Sequence, residues 1–367
     1  MIETSVRETI SGPAGTQATG QGTESLAGLT WGAAGTQATD RPAPGDTIAP
    51  HVPTPTAMQI TPRLALMLSV PPLLWAGNAV VGRLAIGSIP PLWLNAGRWA
   101  LALALLLPLG WRAFGSAQRR AQISSNLPHL ALLSLTGVGA YNALQYMALK
   151  TSTPLNVTLI AASSPVWMLA IGALFYGERP RRAQVLGAVL SLIGVAVVLS
   201  RGEPAALLRV QLVPGDVLML LAILSWCVYS WLLARPPIGM AGERRPDWHW
   251  AEFLCIQIAL GLVWATAAAG VGEWLQPTTR AIPWTPWLVA AVLYVSIGPS
   301  LIAYRLWGLG VAQAGPAVAA FFGNLTPLFA ALLSAALLGE WPQAFHGLAF
   351  ALIGAGILVS SRPVRSA

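Results

Sequence analysis

Charged residues are scarce in this chain. Only 9% of its 367 residues are charged, whereas a soluble globular domain carries about 25%. Apolar residues make up 55% and the mean hydropathy is +0.63, which excludes a water-soluble fold. The 21 basic residues, one of them lysine, outnumber the 13 acidic ones. This excess alone would suit nucleic-acid binding, but the spacing of the charges argues against it.

Cysteine and histidine are also scarce. Cys227 and Cys255 each lie in an apolar stretch, so the sequence offers no disulfide framework. The four histidines are scattered, and only His249 has carboxylates close to it, Asp247 and Glu252. No second histidine joins them, so we expect no metal ion, no cofactor and no catalytic residues.

Long stretches without charge separate the few charged residues. Each is close to or above the roughly 18 apolar residues that cross a bilayer. They run over residues 64–82, 121–149, 151–177, 183–200, 217–234, 253–272, 281–304, 306–339 and 341–361. A tenth, at about 90–110, contains one charge, Arg98. The sequence therefore predicts an all-α integral membrane protein with ten transmembrane helices.

Residues 1–60 differ from the rest of the chain. They are rich in Gly, Thr, Ala and Pro and contain AGTQAT twice, at 14–19 and 34–39. Such a segment buries too little apolar surface to offset its ordering entropy, which predicts a disordered tail. Met58 stands just before the first span, and one hypothesis places the true start of translation there.

Basic residues are distributed unequally between alternate loops. With the N-terminus in the cytoplasm, thirteen arginines fall on the cytoplasmic side, among them Arg305 between spans eight and nine. Apart from Arg83 at a span end and Arg98 within a span, the opposite side receives four basic residues: Lys150, Arg201, Arg209 and Arg280. Because Lys and Arg favour cytoplasmic loops, this asymmetry predicts that both termini are cytoplasmic.

The chain contains an internal repeat with an offset of 162 residues. Residues 153–180, TPLNVTLIAASSPVWMLAIGALFYGERP, align without gaps with residues 315–342, GPAVAAFFGNLTPLFAALLSAALLGEWP. Five spans then fall in each half, 62–202 and 213–361, and an odd number per half gives the halves opposite orientations. Inverted repeats are typical of transporters, whose substrate sites lie where the halves meet.

Four segments form a recognisable pattern: LLWAGNAVVGR at 73–83, IPPLWLNAGRW at 89–99, residues 146–180, and the second copy ending in LLGEWP. This pattern resembles the EamA family of the drug/metabolite transporter superfamily over residues 62–361. The resemblance implies a ten-helix carrier with two repeats in a bacterial inner membrane. It also implies alternating access and export of amino acids, related metabolites or toxic compounds.

Polar and aromatic residues within the spans are candidates to line a substrate cavity. Arg98 is costly in lipid, so it should face the bundle interior or extend its side chain to the membrane surface. Inside the bundle it could pair with a substrate carboxylate or phosphate, or cap carbonyls of a neighbouring helix. Aromatic rings with a few amides suit an amphipathic solute, and for each such residue helix packing is the alternative. The cavity candidates are Trp75, Asn78, Arg98, Tyr141, Gln145, Trp167, Trp226, Tyr229 and Asn324.

The repeat also pairs two prolines and two glutamates. Pro165 and Pro327 interrupt spans four and nine, which predicts broken helices with a gating role, or bends needed for packing. Glu178 and Glu340 end these spans in GE-x-P turns and are candidates for turn formation or proton coupling.

Small residues predict close contact of two further helices. They are Gly187, Ser191 and Gly194 in span five, and Gly347, Ala351 and Gly354 in span ten.

These patterns favour a secondary transporter with a small-molecule substrate, embedded in the lipid bilayer as a monomer or homodimer and without a nucleic-acid partner. The alternative is an integral-membrane enzyme that acts on a lipid or hydrophobic substrate, which needs an acid–base or metal cluster near one interface. The grouping of that kind is Glu243, Asp247, His249 and Glu252, which also suits a solvated loop. A channel would need charged rings or carbonyl filters, and neither is visible.

Overall fold

A computed structural model of the protein describes residues 60–85, 87–152, 154–277, 281–338 and 343–362. The predicted disordered tail, Met58 and Glu340 lie outside these residues. All regular structure within the described ranges is helical.

Fourteen α-helices are described. They are α1 (Pro62–Ala85), α2 (Pro91–Gly110), α3 (Ala117–Ser125), α4 (Leu127–Ser134), α5 (Tyr141–Ala148), α6 (Pro154–Ala162), α7 (Ser164–Tyr176), α8 (Arg182–Leu199), α9 (Pro214–Ala234), α10 (Trp250–Leu275), α11 (Pro286–Val295), α12 (Ala303–Gly323), α13 (Leu325–Leu338) and α14 (Ala344–Ser360). Six continuous helical segments within the described residues are long and apolar enough to span a membrane, and the bent pair α6 and α7 passes the same test together. The expected all-helical membrane protein is confirmed at this level.

Two helical segments contain a π-helical turn at corresponding positions of the repeat. The first π turn, Leu135–Ala140, joins α4 to α5, and the second, Ser296–Ile302, joins α11 to α12. A shift of 162 residues carries the first onto 297–302. A π-helical turn widens the backbone spiral and is frequently found at functional sites.

The helix breaks also correspond. Ser163 separates α6 from α7 at a bend of 40°, and Asn324 separates α12 from α13. Pro165 and Pro327 follow these breaks and are buried. Because proline cannot donate a helical hydrogen bond, it favours an interruption at the preceding turn. The 162-residue repeat is therefore visible in the backbone as well as in the sequence.

The predicted boundary between spans eight and nine is wrong. Arg305 lies inside α12 rather than in a loop, and the non-helical residue is Gly315, with φ 80° and ψ 159°. The guanidinium of Arg305 lies over the ring of Trp250, 4.7 Å from its centroid, at the first residue of α10. An arginine can remain in an apolar helix when its long side chain carries the charge to such a helix end.

Contacts between helix ends define one face of the bundle, which we call the basic face. Glu178 forms an ion pair with Arg235, which brings together the ends of α7 and α9. Arg119 pairs with Glu252 at 2.6 Å, which joins α3 to the start of α10. Arginines at these helix ends supply the positive charge of this face.

The helices α8 and α14 cross at two glycines. A Cβ atom on Gly187 would lie 2.6 Å from the carbonyl oxygen of Gly356, and the reciprocal distance is 2.7 Å. The small face predicted on α8 is therefore a contact face. On α14 the prediction chose the wrong side, because a Cβ on Gly347 or Gly354 would meet nothing within 4 Å. An apolar helix gives no polar stripe from which its rotation can be inferred.

We expect Gly187→Ala to lower the unfolding temperature of the purified protein, because its new methyl group would collide with a backbone oxygen of α14. Overpacking of this kind costs roughly 1–3 kcal/mol, more than the gain in helix propensity. The matched control is Gly347→Ala, which has the same propensity gain and open space around it. Tryptophan fluorescence during heating measures both, and equal unfolding temperatures for the two variants would contradict the proposed contact.

Candidate functional site

Arg98 on α2 is fully buried in a set of hydrogen bonds. Its Nε and one terminal nitrogen donate to Ser300 Oγ at 3.0 and 2.7 Å. Its other terminal nitrogen donates to Asn142 Oδ1 and Tyr146 Oη, both at 2.8 Å, and to Asn78 Oδ1 at 3.2 Å. These partners are side-chain oxygens rather than the backbone carbonyls that the capping interpretation invoked.

The partners of Arg98 are all neutral. Within the described residues, no carboxylate lies within ion-pair distance of this guanidinium. Hydrogen bonds offset part of the cost of burying the cation, but they leave its charge unbalanced. The surroundings of Arg98 therefore carry a positive potential that favours an anion.

Six aromatic rings pack together, and we call them the aromatic cluster. Its member Tyr304 accepts a hydrogen bond at 3.5 Å from the amide of Asn142, which is itself a partner of Arg98. The rings are Trp75 on α1, Tyr141 on α5, Trp226 and Tyr229 on α9, and Tyr304 and Trp307 on α12. Trp226 is the centre, with its ring centroid 5.0–5.4 Å from the other five. The cluster thus combines helices from both repeated halves at one point.

Each π turn is hydrogen-bonded by the opposite half of the chain. Tyr304 donates its hydroxyl proton to the carbonyl of Gly137 in the first π turn, and Ser225 donates to that of Thr136 at 2.8 Å. In the reverse direction, the indole of Trp75 donates to the carbonyl of Pro299 in the second π turn at 3.3 Å. In a regular α-helix, these carbonyls would accept a hydrogen bond from the backbone amide four residues later. The side-chain donors satisfy them instead.

Sequence reasoning found four members of the aromatic cluster and missed Tyr304 and Trp307, as well as Ser300 beside Arg98. The repeat could have identified both aromatic residues, because the 162-residue offset maps the polar span residues Asn142 and Gln145 onto Tyr304 and Trp307. The prediction of a loop at Arg305 placed Tyr304 at the end of one span and Trp307 at the start of the next, instead of in the middle of a span.

Two other sequence candidates, Asn78 and Gln145, lie on the helices that carry this site. Asn78 receives hydrogen bonds from Arg98 and from Tyr146, and Gln145 is half-buried one turn after Tyr141. Trp167 makes no ring contact with the cluster among the described residues, and its indole donates to Ser163 on the preceding turn at 3.1 Å.

Asn324 is buried at the break between α12 and α13. Its amide donates to Ser191 on α8 at 2.8 Å. The contact links the interrupted span of the second half to a helix of the first half.

A cavity of about 1160 Å³ opens between α2, α5 and α10. It extends from the first π turn to the loop between α1 and α2, at the opposite end of α10 from the basic face. Its walls include Trp93, Leu144, Met147, Trp264 and Leu275, and its charged members are Lys150 and Glu273. We call the end of the bundle that carries these two residues the cavity face.

Comparisons with known proteins agree with this architecture. A family model described as the EamA-like transporter family matches residues 63–200 and 213–362. An uncharacterized transporter of Archaeoglobus fulgidus is 29% identical over 81% of this chain and 96% of its own length. One solved crystal structure superposes with a TM-score of 0.63 at 23% identity, covering 81% of this chain and 96% of its own, which shows the fold.

Two relatives have more specific names. The aromatic amino acid exporter YddG of Ancylobacter novellus is 25% identical, with 79% of this chain and 93% of the relative covered. A probable terminal-alkyne amino-acid exporter of Streptantibioticus cattleyicolor is 26% identical, with 81% and 92% covered. Two matches of the family model span most of the chain and coincide with its apolar helices. The chain therefore belongs to the EamA-like transporter family and is a membrane transporter.

Proposed function

We propose that this protein is a secondary transporter that exports small amphipathic solutes by alternating access. The observation that carries the proposal is the reciprocal bonding of the two π turns, because it places matched, non-α backbone from both halves at one central point. Transporters bind substrate where interrupted helices of two repeats meet. The aromatic cluster lies at this point.

In the proposal, the chain forms two inverted repeats of five spans each, residues 62–202 and 213–361. The paired π turns, the breaks at Ser163 and Asn324 and the contact of α8 with α14 support it. The eighth span ends at Gly315, and the ninth begins at Pro316. The basic face is cytoplasmic in this arrangement, because basic loops favour that side.

The proposed solute is an amino acid with an apolar or aromatic side chain. Aromatic rings offer apolar contact and edge-to-face stacking, and the unbalanced charge of Arg98 suits a carboxylate. Two relatives that carry amino-acid exporter names support this substrate class. Because Ser300 comes from the second half, separation of the halves would free the Nε and one terminal nitrogen of Arg98 for the solute.

On the basic face, side chains from both halves contact each other. Glu178 and Arg235 form their ion pair across the halves, and each is partly exposed. Exposed ion pairs contribute about 0–1 kcal/mol, so such a contact is easily broken and remade. In the proposed cycle this pair opens when the solute enters, while the interrupted spans bend at Pro165 and Pro327.

The first test is transport of radiolabelled tryptophan by counterflow in proteoliposomes. We expect saturable counterflow by the wild-type protein and a reduction of about tenfold in Trp226→Phe, because several ring contacts worth about 0.5–1.5 kcal/mol each are weakened. The matched control is Trp274→Phe, whose parent ring is 80% exposed. Equal transport by both variants would rule out the central role of Trp226, and an absence of counterflow across a panel of amino acids would overturn the substrate class.

The second test asks whether Arg98 selects a carboxylate. In Arg98→Gln we expect transport to lose its preference for tryptophan over tryptamine, which lacks the carboxylate, because the neutral amide cannot attract an anion. Ser300→Ala is the control, since it removes a hydrogen-bond acceptor and keeps the charge, so it should change both transport rates by a similar factor.

Initial rates of counterflow for both solutes provide the measurement, on protein that elutes as a single species. An equal loss of tryptophan and tryptamine transport in Arg98→Gln would show that Arg98 acts only in packing.

A further inference from the structure

One hydrogen-bond donor beside Arg98 has no acceptor. Trp99, the next residue on α2, is fully buried, and within the described part of the chain its indole nitrogen Nε1 forms no hydrogen bond. Burial of such a donor is costly, so it calls for an explanation. We propose that the indole N–H of Trp99 donates to the carboxylate of the transported solute, as a second donor beside Arg98. The inference rests on the transport function proposed above and adds a binding residue to it.

The guanidinium and the indole lie close enough together to hold one carboxylate. The central carbon of the Arg98 guanidinium is 5.3 Å from the centroid of the Trp99 ring. A carboxylate has two oxygens, each of which accepts N–H bonds of about 2.9 Å, so it can bridge two donors at this separation. The guanidinium attracts the anion, and the indole N–H adds a directed hydrogen bond to it.

One segment of the second half covers both donors. Ser300 accepts from Nε and one terminal nitrogen of Arg98. The ring of Tyr304 packs edge-to-face against Trp99, with the ring centroids 5.0 Å apart. Ser300 in the second π turn and Tyr304 at the start of α12 are about one turn apart on the same helical segment. The separation of the halves that frees Arg98 would therefore also uncover Trp99.

Other buried tryptophans satisfy their N–H groups within the protein. The indole of Trp231 donates to the carbonyl of Met168 at 2.9 Å, and the indole of Trp307 donates to Ser230 Oγ at 3.1 Å. These bonds account for the two groups without a solute. The unpartnered N–H of Trp99 is therefore not a general property of tryptophan in this bundle.

Trp248 provides a matched control. It is buried, and its indole nitrogen also has no partner among the described residues. It stacks on Phe253 beside the start of α10, in a different group of buried side chains from the one that contains Trp99. Trp248→Phe thus removes the same chemical group as Trp99→Phe, away from the guanidinium.

The first measurement is solute binding to the full chain in lipid nanodiscs, with radiolabelled tryptophan and scintillation proximity detection. We expect Trp99→Phe to raise the Kd of tryptophan about tenfold, the effect of losing one hydrogen bond to a charged group. Indole-3-propionate, which keeps the carboxylate, should lose the same factor in competition. Tryptamine, which lacks the carboxylate, should bind with an unchanged Kd. Trp248→Phe should leave all three Kd values unchanged.

The second measurement observes the N–H itself. Protein labelled with ¹⁵N at the tryptophan indoles gives one NMR signal for each indole N–H, and the signal missing from Trp99→Phe belongs to Trp99. Unlabelled tryptophan should move the proton of this signal downfield, because the N–H then donates to a carboxylate. Tryptamine should leave it in place.

A resident water is the competing explanation for the unpartnered atom. Asn95, one turn earlier on α2, has an amide oxygen that also lacks a partner among the described residues, and one water could bond to both side chains. In that case the Trp99 signal would not respond to tryptophan, and Trp99→Phe would bind tryptophan with an unchanged Kd. Either result would overturn the inference. An equal loss of tryptophan and tryptamine binding would also overturn it, because Trp99 would then act only in packing.

Tryptophan counterflow by the same preparation separates this inference from the transport proposal. Wild-type counterflow together with an unchanged Kd in Trp99→Phe refutes the role of Trp99 alone. A response of the Trp99 signal to tryptophan without counterflow supports the binding residue and refutes the transport proposal. If the wild-type protein neither binds nor transports tryptophan, both fail.

Discussion

The two π-helical turns depend on hydrogen bonds from the opposite half of the protein. A widened turn exposes carbonyls, and an unsatisfied carbonyl away from water costs several kcal/mol. Tyr304 and Ser225 satisfy the first π turn, and Trp75 satisfies the second. These bonds therefore couple the backbone conformation of each half to the position of its partner. Two of the three donors, Tyr304 and Trp75, are themselves members of the aromatic cluster.

Arg98 adds an electrostatic constraint at the same place. Its bond to Ser300 crosses between the halves, and the hydroxyl of Ser300 in turn donates to the carbonyl of Val295, five residues earlier, at 2.7 Å. The second π turn therefore provides both the acceptor for Arg98 and the bond that orients it. Movement of the halves would break a charge-assisted hydrogen bond, which is roughly twice as strong as a neutral one. A solute carboxylate could replace it, so solute binding and separation of the halves would favour each other.

The sequence predicts the apolar helices, the 162-residue repeat and most of the aromatic cluster, because each depends on the composition of a local segment. It mislocates the break at Gly315, because a charge was assumed to mark a loop, whereas Arg305 reaches a helix end through its long side chain. Hydropathy cannot detect the π turns, since an inserted residue changes the hydrogen-bonding pattern and leaves the composition the same. The predicted contact side of α14 is wrong for a related reason. On a helix that is apolar all round, the sequence does not distinguish small residues that face lipid from small residues at a helix contact.

The placement of charge suggests why a carrier of this kind retains so few charged residues. An unpaired ion in a low-dielectric interior interacts over a longer range than one at a surface, because neither water nor salt screens it. One buried guanidinium is therefore enough to favour an anion at the centre, and a nearby carboxylate would cancel that preference.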